Sequence, residues 1–170
     1  ISKAYLNEQG ISIVSVTEEQ LISHQEGLLM IATPISSDIS QFLLTNELEL
    51  AHSKAKHWQA IFKDRYYISA QRTDRHSDEN LLNLTIELDL KLDIPVVATN
   101  DVQFISKTDF DAHEARICIA EGGLLDDSRR LKFFSDSQYL KTPDEMSELF
   151  KDYPQLIENA SEVAKSCNLH

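Results

Sequence analysis

The sequence predicts an α/β fold built on a parallel sheet, and three observations support this class. Residues 94–98 form a short apolar run, rich in β-branched side chains, that lacks the alternation of a half-exposed strand. Such a run is typical of a strand covered on both faces. Similar runs are separated by segments with helix-start signals, which is the pattern of βαβ units. Polar residues follow at once, at Thr99, Asn100 and Asp101, where parallel α/β folds place ligand-facing groups.

Local signals in the first third of the chain define strands and helices in turn. Thr17 and Gln20 form a capping-box pattern, which predicts a short helix. Ser37 or Asp38 is expected to cap a second helix that ends at Leu44. Runs of strand-forming residues predict strands at 11–16, 28–32 and 66–70.

The longest helix of this half is predicted at residues 47–62, with Asn46 as its N-cap. Five apolar residues recur on one stripe at helical spacing: Leu48, Ala51, Ala55, Trp58 and Phe62. A stripe of this kind predicts the face that packs against the core.

Helical signals dominate the second half. Ser77 or Asp78 is expected to cap a helix that ends near Leu92, and another helix is predicted at 109–120, with a turn at Gly122 and Gly123. Residues 126–132 read as a mixed-charge loop. Two C-terminal helices are then predicted. The first follows a capping box with proline at its first position (Thr142, Pro143, Glu145), and the second begins at Pro154.

Composition favours one acidic globular domain over residues 1–170. The chain has 16 basic and 28 acidic residues and a formal net charge of −12, which disfavours direct contact with nucleic acid. Cys118 and Cys167 form no metal or disulfide motif, so we expect both to be small buried residues in a reducing, cytoplasmic setting. We expect no membrane association, because no apolar run approaches the length of a bilayer span. The initial isoleucine leads us to expect a fragment.

Three groups of side chains are candidates for chemistry. Asp101 lies just past the buried strand. Asp109 and His113 are spaced i, i+4, so they face the same side of a helix as either a metal pair or a hydrogen-bonded pair. Arg72 follows the strand at 66–70 and is a candidate for a phosphate contact or for an ion pair with Asp74 or Asp78. Phosphate-binding loops are excluded, because the four glycines of the chain form no Gly-rich motif.

Several segments together carry a resemblance to a known family. The run at 94–104 is followed by a polar helix start at 106–116, and weaker pieces occur in order at 1–5, 64–73 and 158–168. This series resembles the PHP (polymerase and histidinol phosphatase) domain, in the form found in the alpha subunits of bacterial DNA polymerase III. The resemblance implies a partial, distorted (β/α) barrel with additional C-terminal helices. It also implies that the upstream PHP segment and the polymerase domains are absent.

The resemblance makes Asp101 a metal-ligand position and places the next ligand, a histidine in the family, at Gln103. A glutamine amide is a poor transition-metal ligand compared with imidazole. We therefore expect Asp101 to be a vestigial metal position that hydrogen-bonds loop or helix-start amides, with no catalytic residue and no cofactor in this chain. A missing upstream segment would also leave a seam, at which core residues such as Ile68, Val96 and Val97 lose part of their cover.

For function, the resemblance implies a parent that is a DNA-directed DNA polymerase, using Mg²⁺ held by aspartates outside this chain. The PHP segment is then a structural platform that docks the proofreading exonuclease subunit and other replicase subunits. Two alternatives stay open. One is an active metal-dependent phosphoesterase or 3′–5′ exonuclease. The other is a stand-alone regulatory module of the response-regulator type with Asp101 as phosphoacceptor, although no lysine is suitably placed in the sequence.

Overall fold

Three parallel strands form the centre of the protein in a computed structural model that describes residues 15–125 and 133–167. They are β1 (Met30–Ala32), β2 (Tyr66–Ala70) and β3 (Val96–Ala98), in the order β1-β2-β3. Ile68 is the common partner of Ala32 on one side and of Val96 on the other. The α/β class with a parallel sheet is therefore confirmed. Closure into a barrel stays a prediction, and the strand predicted at 11–16 lies largely outside the described residues.

Helices alternate with these strands and then continue alone to the C-terminal end of the described part. In chain order they are α1 (Glu18–Ser23), α2 (Asp38–Leu44), α3 (Leu48–Phe62), α4 (Asp78–Leu92), α5 (Phe110–Glu121), α6 (Pro143–Leu149) and α7 (Pro154–Ser166). Short 3₁₀ turns, Lys63–Arg65 and Lys107–Asp109, precede β2 and α5. In the described part of the chain, no helix is both long and apolar enough to cross a membrane.

Predicted capping residues are confirmed at three helix starts, whereas Ser77 precedes α4 without a side-chain cap. Thr17 and Thr142 form full capping boxes with Gln20 and Glu145, and Ser37 caps α2 by accepting a hydrogen bond from the Ser40 amide. These side chains satisfy amide groups that have no partner inside the helix.

Asn46 was predicted to begin α3, and that prediction is wrong. Asn46 adopts a left-handed conformation, with φ of 61°, and ends α2. The Asn46 amide donates to the Leu43 carbonyl, and the Glu47 amide donates to the Phe42 carbonyl over 2.8 Å. This is a Schellman arrangement, in which asparagine can replace the usual glycine. Helix α3 therefore begins one residue later than predicted, without a side-chain cap.

The core surrounds the sheet on both sides. On α3 the predicted stripe is confirmed: Ala51, Ala55, Trp58 and Phe62 are buried, and Leu48 packs against the same cluster. A second cluster joins the ends of β2 and β3 to Phe150 and Leu156 of the C-terminal segment.

The expectation that core strands lose cover at a seam is wrong for the residues named. Ile68, Val96 and Val97 are all 1% exposed or less. Cys118 is buried as predicted, whereas Cys167 is exposed because it follows the last turn of α7.

Helix α7 covers the outer edge of β3 with a specific hydrogen bond. The Pro95 carbonyl accepts from Ile68 of β2, so the next carbonyl, that of Val96, faces away from β2. Asn159 of α7 donates its amide to this Val96 oxygen over 2.8 Å. An edge acceptor that would otherwise be open to another chain is thus satisfied within the fold.

We predict that Asn159→Ala destabilises the chain by about 1–3 kcal/mol, because a partly buried carbonyl loses its partner. Chemical denaturation monitored by circular dichroism measures this. Ser161→Ala is the matched control, since its hydroxyl bonds only within the exposed part of α7. Equal stability of the two variants would contradict the assigned role of Asn159.

Candidate functional site at the carboxyl edge of the sheet

The loops that follow β2 and β3 lie side by side at the carboxyl edge of the sheet. The Thr99 amide donates to the Ala70 carbonyl over 2.9 Å, and Gln71 donates its side-chain amide to the Thr99 hydroxyl over 3.2 Å. Because parallel strands end at the same edge, polar groups from distant parts of the sequence meet here.

Asp101 is the centre of this edge, as its position after β3 predicted. Its carboxylate accepts three hydrogen bonds from side chains. Arg75 Nη2 and Gln138 Nε2 donate to Oδ2 over 2.8 and 2.9 Å, and Gln103 Nε2 donates to Oδ1 over 2.8 Å. Loop or helix-start amides were expected as partners, and that expectation is wrong, because side chains occupy the carboxylate instead.

The segment at residues 133–141 completes the site and is held by these contacts. The Gln103 amide donates to the Gln138 carbonyl over 2.9 Å, and the Leu140 amide donates to Phe104 over 3.1 Å. Gln138 is fully buried, and its side-chain oxygen accepts from the Ser135 amide over 2.8 Å. Asp101 and Gln138 therefore join this segment to the loop after β3.

The contacts around Asp101 do not fit a divalent metal ion. Gln103 presents the donor end of its amide to the carboxylate over 2.8 Å, where a bound ion would need an acceptor. Among the described residues, no group of three or more His, Cys, Asp or Glu side chains could hold a metal ion. A catalytic metal site normally has three protein ligands.

Asp109 and His113 do not form the predicted pair. Asp109 lies in the 3₁₀ turn before α5, where its carboxylate accepts from the Ser106 amide over 2.9 Å. His113 is buried, with its ring centroid 5.3 Å from that of Phe104 and 4.9 Å from that of Phe134. The i, i+4 rule fails because only one of the two residues is inside the helix.

The response-regulator alternative requires a lysine at the end of a neighbouring strand, and Lys141, which lies near this edge, is outside the three strands. Lys141 donates to the Ser137 carbonyl, and its Nζ lies 3.5 Å from Asn100 Oδ1. Burial lowers the pKa of Lys141. Asp101, however, has Arg75 as its cationic partner, so the carboxylate is already engaged.

Arg72 forms ion pairs, but with partners other than the predicted Asp74 and Asp78. Its guanidinium makes two hydrogen bonds to Asp152, of 2.6 and 2.7 Å, and two to Glu79, of 2.7 and 3.2 Å. It also donates to the Leu149 carbonyl over 2.6 Å. Arg72 thus connects β2 and α4 to the turn between α6 and α7.

Asp78 is unavailable to Arg72 because it stabilises the loop after β2. One of its oxygens accepts from the Thr73 amide over 2.6 Å and from the Thr73 hydroxyl over 2.9 Å, and also from the Arg75 amide over 3.3 Å. This loop geometry directs Arg75 toward Asp101.

Sequence patterns did not predict two of the residues that bind Asp101, Arg75 and Gln138. Arg75 lies 26 positions before Asp101, and Gln138 lies 37 positions after it. Neither belongs to a motif, and a lone glutamine in a loop is ordinarily solvated.

The fold and the site define an α/β segment with a cross-linked polar cluster at the carboxyl edge of a parallel sheet. Comparison with curated proteins identifies relatives over 99% of the chain. The chain is 44% identical to the DNA polymerase III subunit alpha of Pseudomonas fluorescens, 40% identical to that of Pseudomonas aeruginosa and 38% identical to that of Escherichia coli. No protein-family profile matches the chain.

The chain is therefore homologous to one segment of the DNA polymerase III alpha subunits. It spans only 14–15% of the length of these relatives. The resemblance inferred from the sequence motifs is confirmed at the level of this subunit.

We predict that Arg72→Met destabilises the chain by about 1–3 kcal/mol. This range is modest because both carboxylate partners are exposed to solvent, which weakens their ion pairs with Arg72. Thermal unfolding measures the loss. The control is Lys151→Met, which breaks the fully exposed pair with Glu148 and should have little effect. An Arg72 variant as stable as this control would contradict the connecting role.

The same ion pair predicts a dependence on pH. The hydrogen bonds from Arg72 hold the pKa of Asp152 below its ordinary value of 3.8. A carboxyl whose folded pKa is depressed contributes stability above the unfolded pKa, and that contribution is lost as the pH falls through the folded value. Unfolding free energies measured between about pH 5 and pH 2 should therefore fall more steeply in the unmodified chain than in Asp152→Asn. Parallel curves would contradict this.

Proposed function

We propose that this chain is part of the catalytic alpha subunit of a bacterial replicative DNA polymerase, working in the cytoplasm. The observation that carries the proposal is the match to DNA polymerase III alpha subunits over 99% of the chain. In such a parent, DNA-directed synthesis would use Mg²⁺ bound by aspartates outside this segment. The chain itself would act as the later part of a PHP domain, within a distorted (β/α) barrel.

Within that parent, the segment is a structural platform rather than a catalytic centre. The acidic carboxylate that the family would use for metal binding is here engaged by Arg75, Gln103 and Gln138. A net charge of −12 disfavours contact with the DNA backbone. The partner that we propose for the platform is the proofreading exonuclease subunit, together with other subunits of the replicase.

Lysine-directed cross-linking of the full-length parent with the purified exonuclease subunit tests the docking proposal. The described part of this segment carries lysines on separate elements, among them Lys54, Lys107, Lys151 and Lys165. Cross-links to these lysines, in a complex that still extends primers, are the expected result. Cross-links confined to other regions of the parent would overturn the docking role and leave the homology intact.

We further predict no Mn²⁺-dependent hydrolysis of phosphoesters or single-stranded DNA by the chain. Metal-dependent hydrolysis needs an ion held by several ligands, and Asp101 has side-chain donors in their place. The assay compares the unmodified chain with Asp101→Ala at equal concentration. Hydrolysis that requires Mn²⁺ and disappears in Asp101→Ala would reverse the assignment in favour of an active phosphoesterase.

A further inference from the structure

The ion pair between Arg75 and Asp101 has a role that the docking proposal does not require. We infer that the Arg75 guanidinium is a built-in cation that takes the place of a divalent metal at Asp101. It neutralises the carboxylate, and with Gln138 it joins three segments that a bound ion would otherwise have to join. These segments are the loop after β2, the loop after β3 and residues 133–141.

The donors around Asp101 leave little room for an ion. A carboxylate has about four lone-pair directions, and three are directed at Arg75, Gln103 and Gln138. Arg75 Nη2 lies 2.8 Å from Asp101 Oδ2, so a second cation on this carboxylate would lie within a few ångströms of a permanent positive charge. Repulsion at that distance is strong in a partly buried site.

Arg75 is held in place from several directions. Its Nε donates to the Phe133 carbonyl over 3.2 Å, and its backbone amide donates to Asp78 over 3.3 Å. Only 20% of its side chain is exposed, compared with 26% for Asp101. A guanidinium fixed at both its side chain and its backbone cannot readily move away to admit a metal. It also keeps its positive charge at every physiological pH.

If Arg75 takes the role of a metal ion, a divalent ion should stabilise a variant that lacks Arg75. Removing the guanidinium leaves Asp101 as an uncompensated, partly buried carboxylate, which is destabilising. The same removal frees one side of Asp101, so a divalent cation at millimolar concentration can partly neutralise the carboxylate without the three-ligand site that tight binding needs. Divalent ions should therefore stabilise the variant that lacks Arg75, but not the unmodified chain.

The experiment is a thermal-unfolding comparison of the 170-residue chain with Arg75→Met, Asp101→Asn and the double variant. Each is measured in EDTA, in millimolar Mg²⁺ or Mn²⁺, and in NaCl of equal ionic strength. We expect Arg75→Met to lower the Tm by about 3–8 °C in EDTA. The divalent ions should recover part of this loss, beyond the NaCl value. The double variant should have a higher Tm than Arg75→Met and no specific response to either ion.

The control is Lys107→Met, which breaks an ion pair with Asp136 whose members are 60% and 47% exposed. It should respond to EDTA and to divalent ions as the unmodified chain does. A specific stabilisation of the unmodified chain by Mg²⁺ or Mn²⁺ would overturn the inference, as would an Arg75→Met variant that the ions do not stabilise. If Arg75→Met fails to fold in all conditions, the double variant decides: folding supports the inference, and failure to fold overturns it.

Discussion

The structure at the carboxyl edge of the sheet depends on one constraint. The carboxylate of Asp101, which lies just past a fully buried parallel strand, has to be neutralised. Val96 and Val97 are almost completely buried, so the chain that leaves β3 emerges into a partly desolvated site with Asp101 near its start. An ionised carboxylate there needs both hydrogen bonds and a counter-charge. Arg75, Gln103 and Gln138 supply them, and supplying them fixes the path of residues 133–141.

The same solution occurs around β2, where three arginines bind acceptors within the chain. Arg65 donates to the carbonyls of Gln25 and Leu28 over 2.7 and 2.6 Å. Arg72 connects α4 to the C-terminal helices, and Arg75 connects the loop after β2 to Asp101. The planar guanidinium, with several donors, suits such multi-segment junctions better than an ammonium group does. In a chain with a net charge of −12, these three cations join segments that are far apart in the sequence.

Sequence reasoning succeeded where the determining information is local. Thr17, Ser37 and Thr142 cap their helices because the bonds that they make span three residues. It failed at Asn46, where two local roles compete: asparagine suits both an N-cap and a left-handed helix end, and the end of α2 determines the outcome. It also failed at Asp109, because the exact start of α5 decides whether an i, i+4 pair exists. The partners of Asp101 and Arg72 are separated from them by up to 80 residues, and no periodicity encodes such contacts.

A sheet edge that is held together by side chains around a carboxylate forms under different conditions from one that is held together by a metal ion. A metal-held edge depends on free ion concentration, since binding of the ion is part of the folding free energy. An edge held by Arg75, Gln103 and Gln138 forms whenever the chain folds, because all its donors are covalently part of the protein. The geometry of the loop after β3 and of residues 133–141 is then constant across metal conditions. Under the docking function proposed above, that constancy would favour binding of a partner, since preorganised interfaces lose less entropy on binding. Because the donors belong to the chain, loss of one of them, such as Gln138, should lower the stability of this edge.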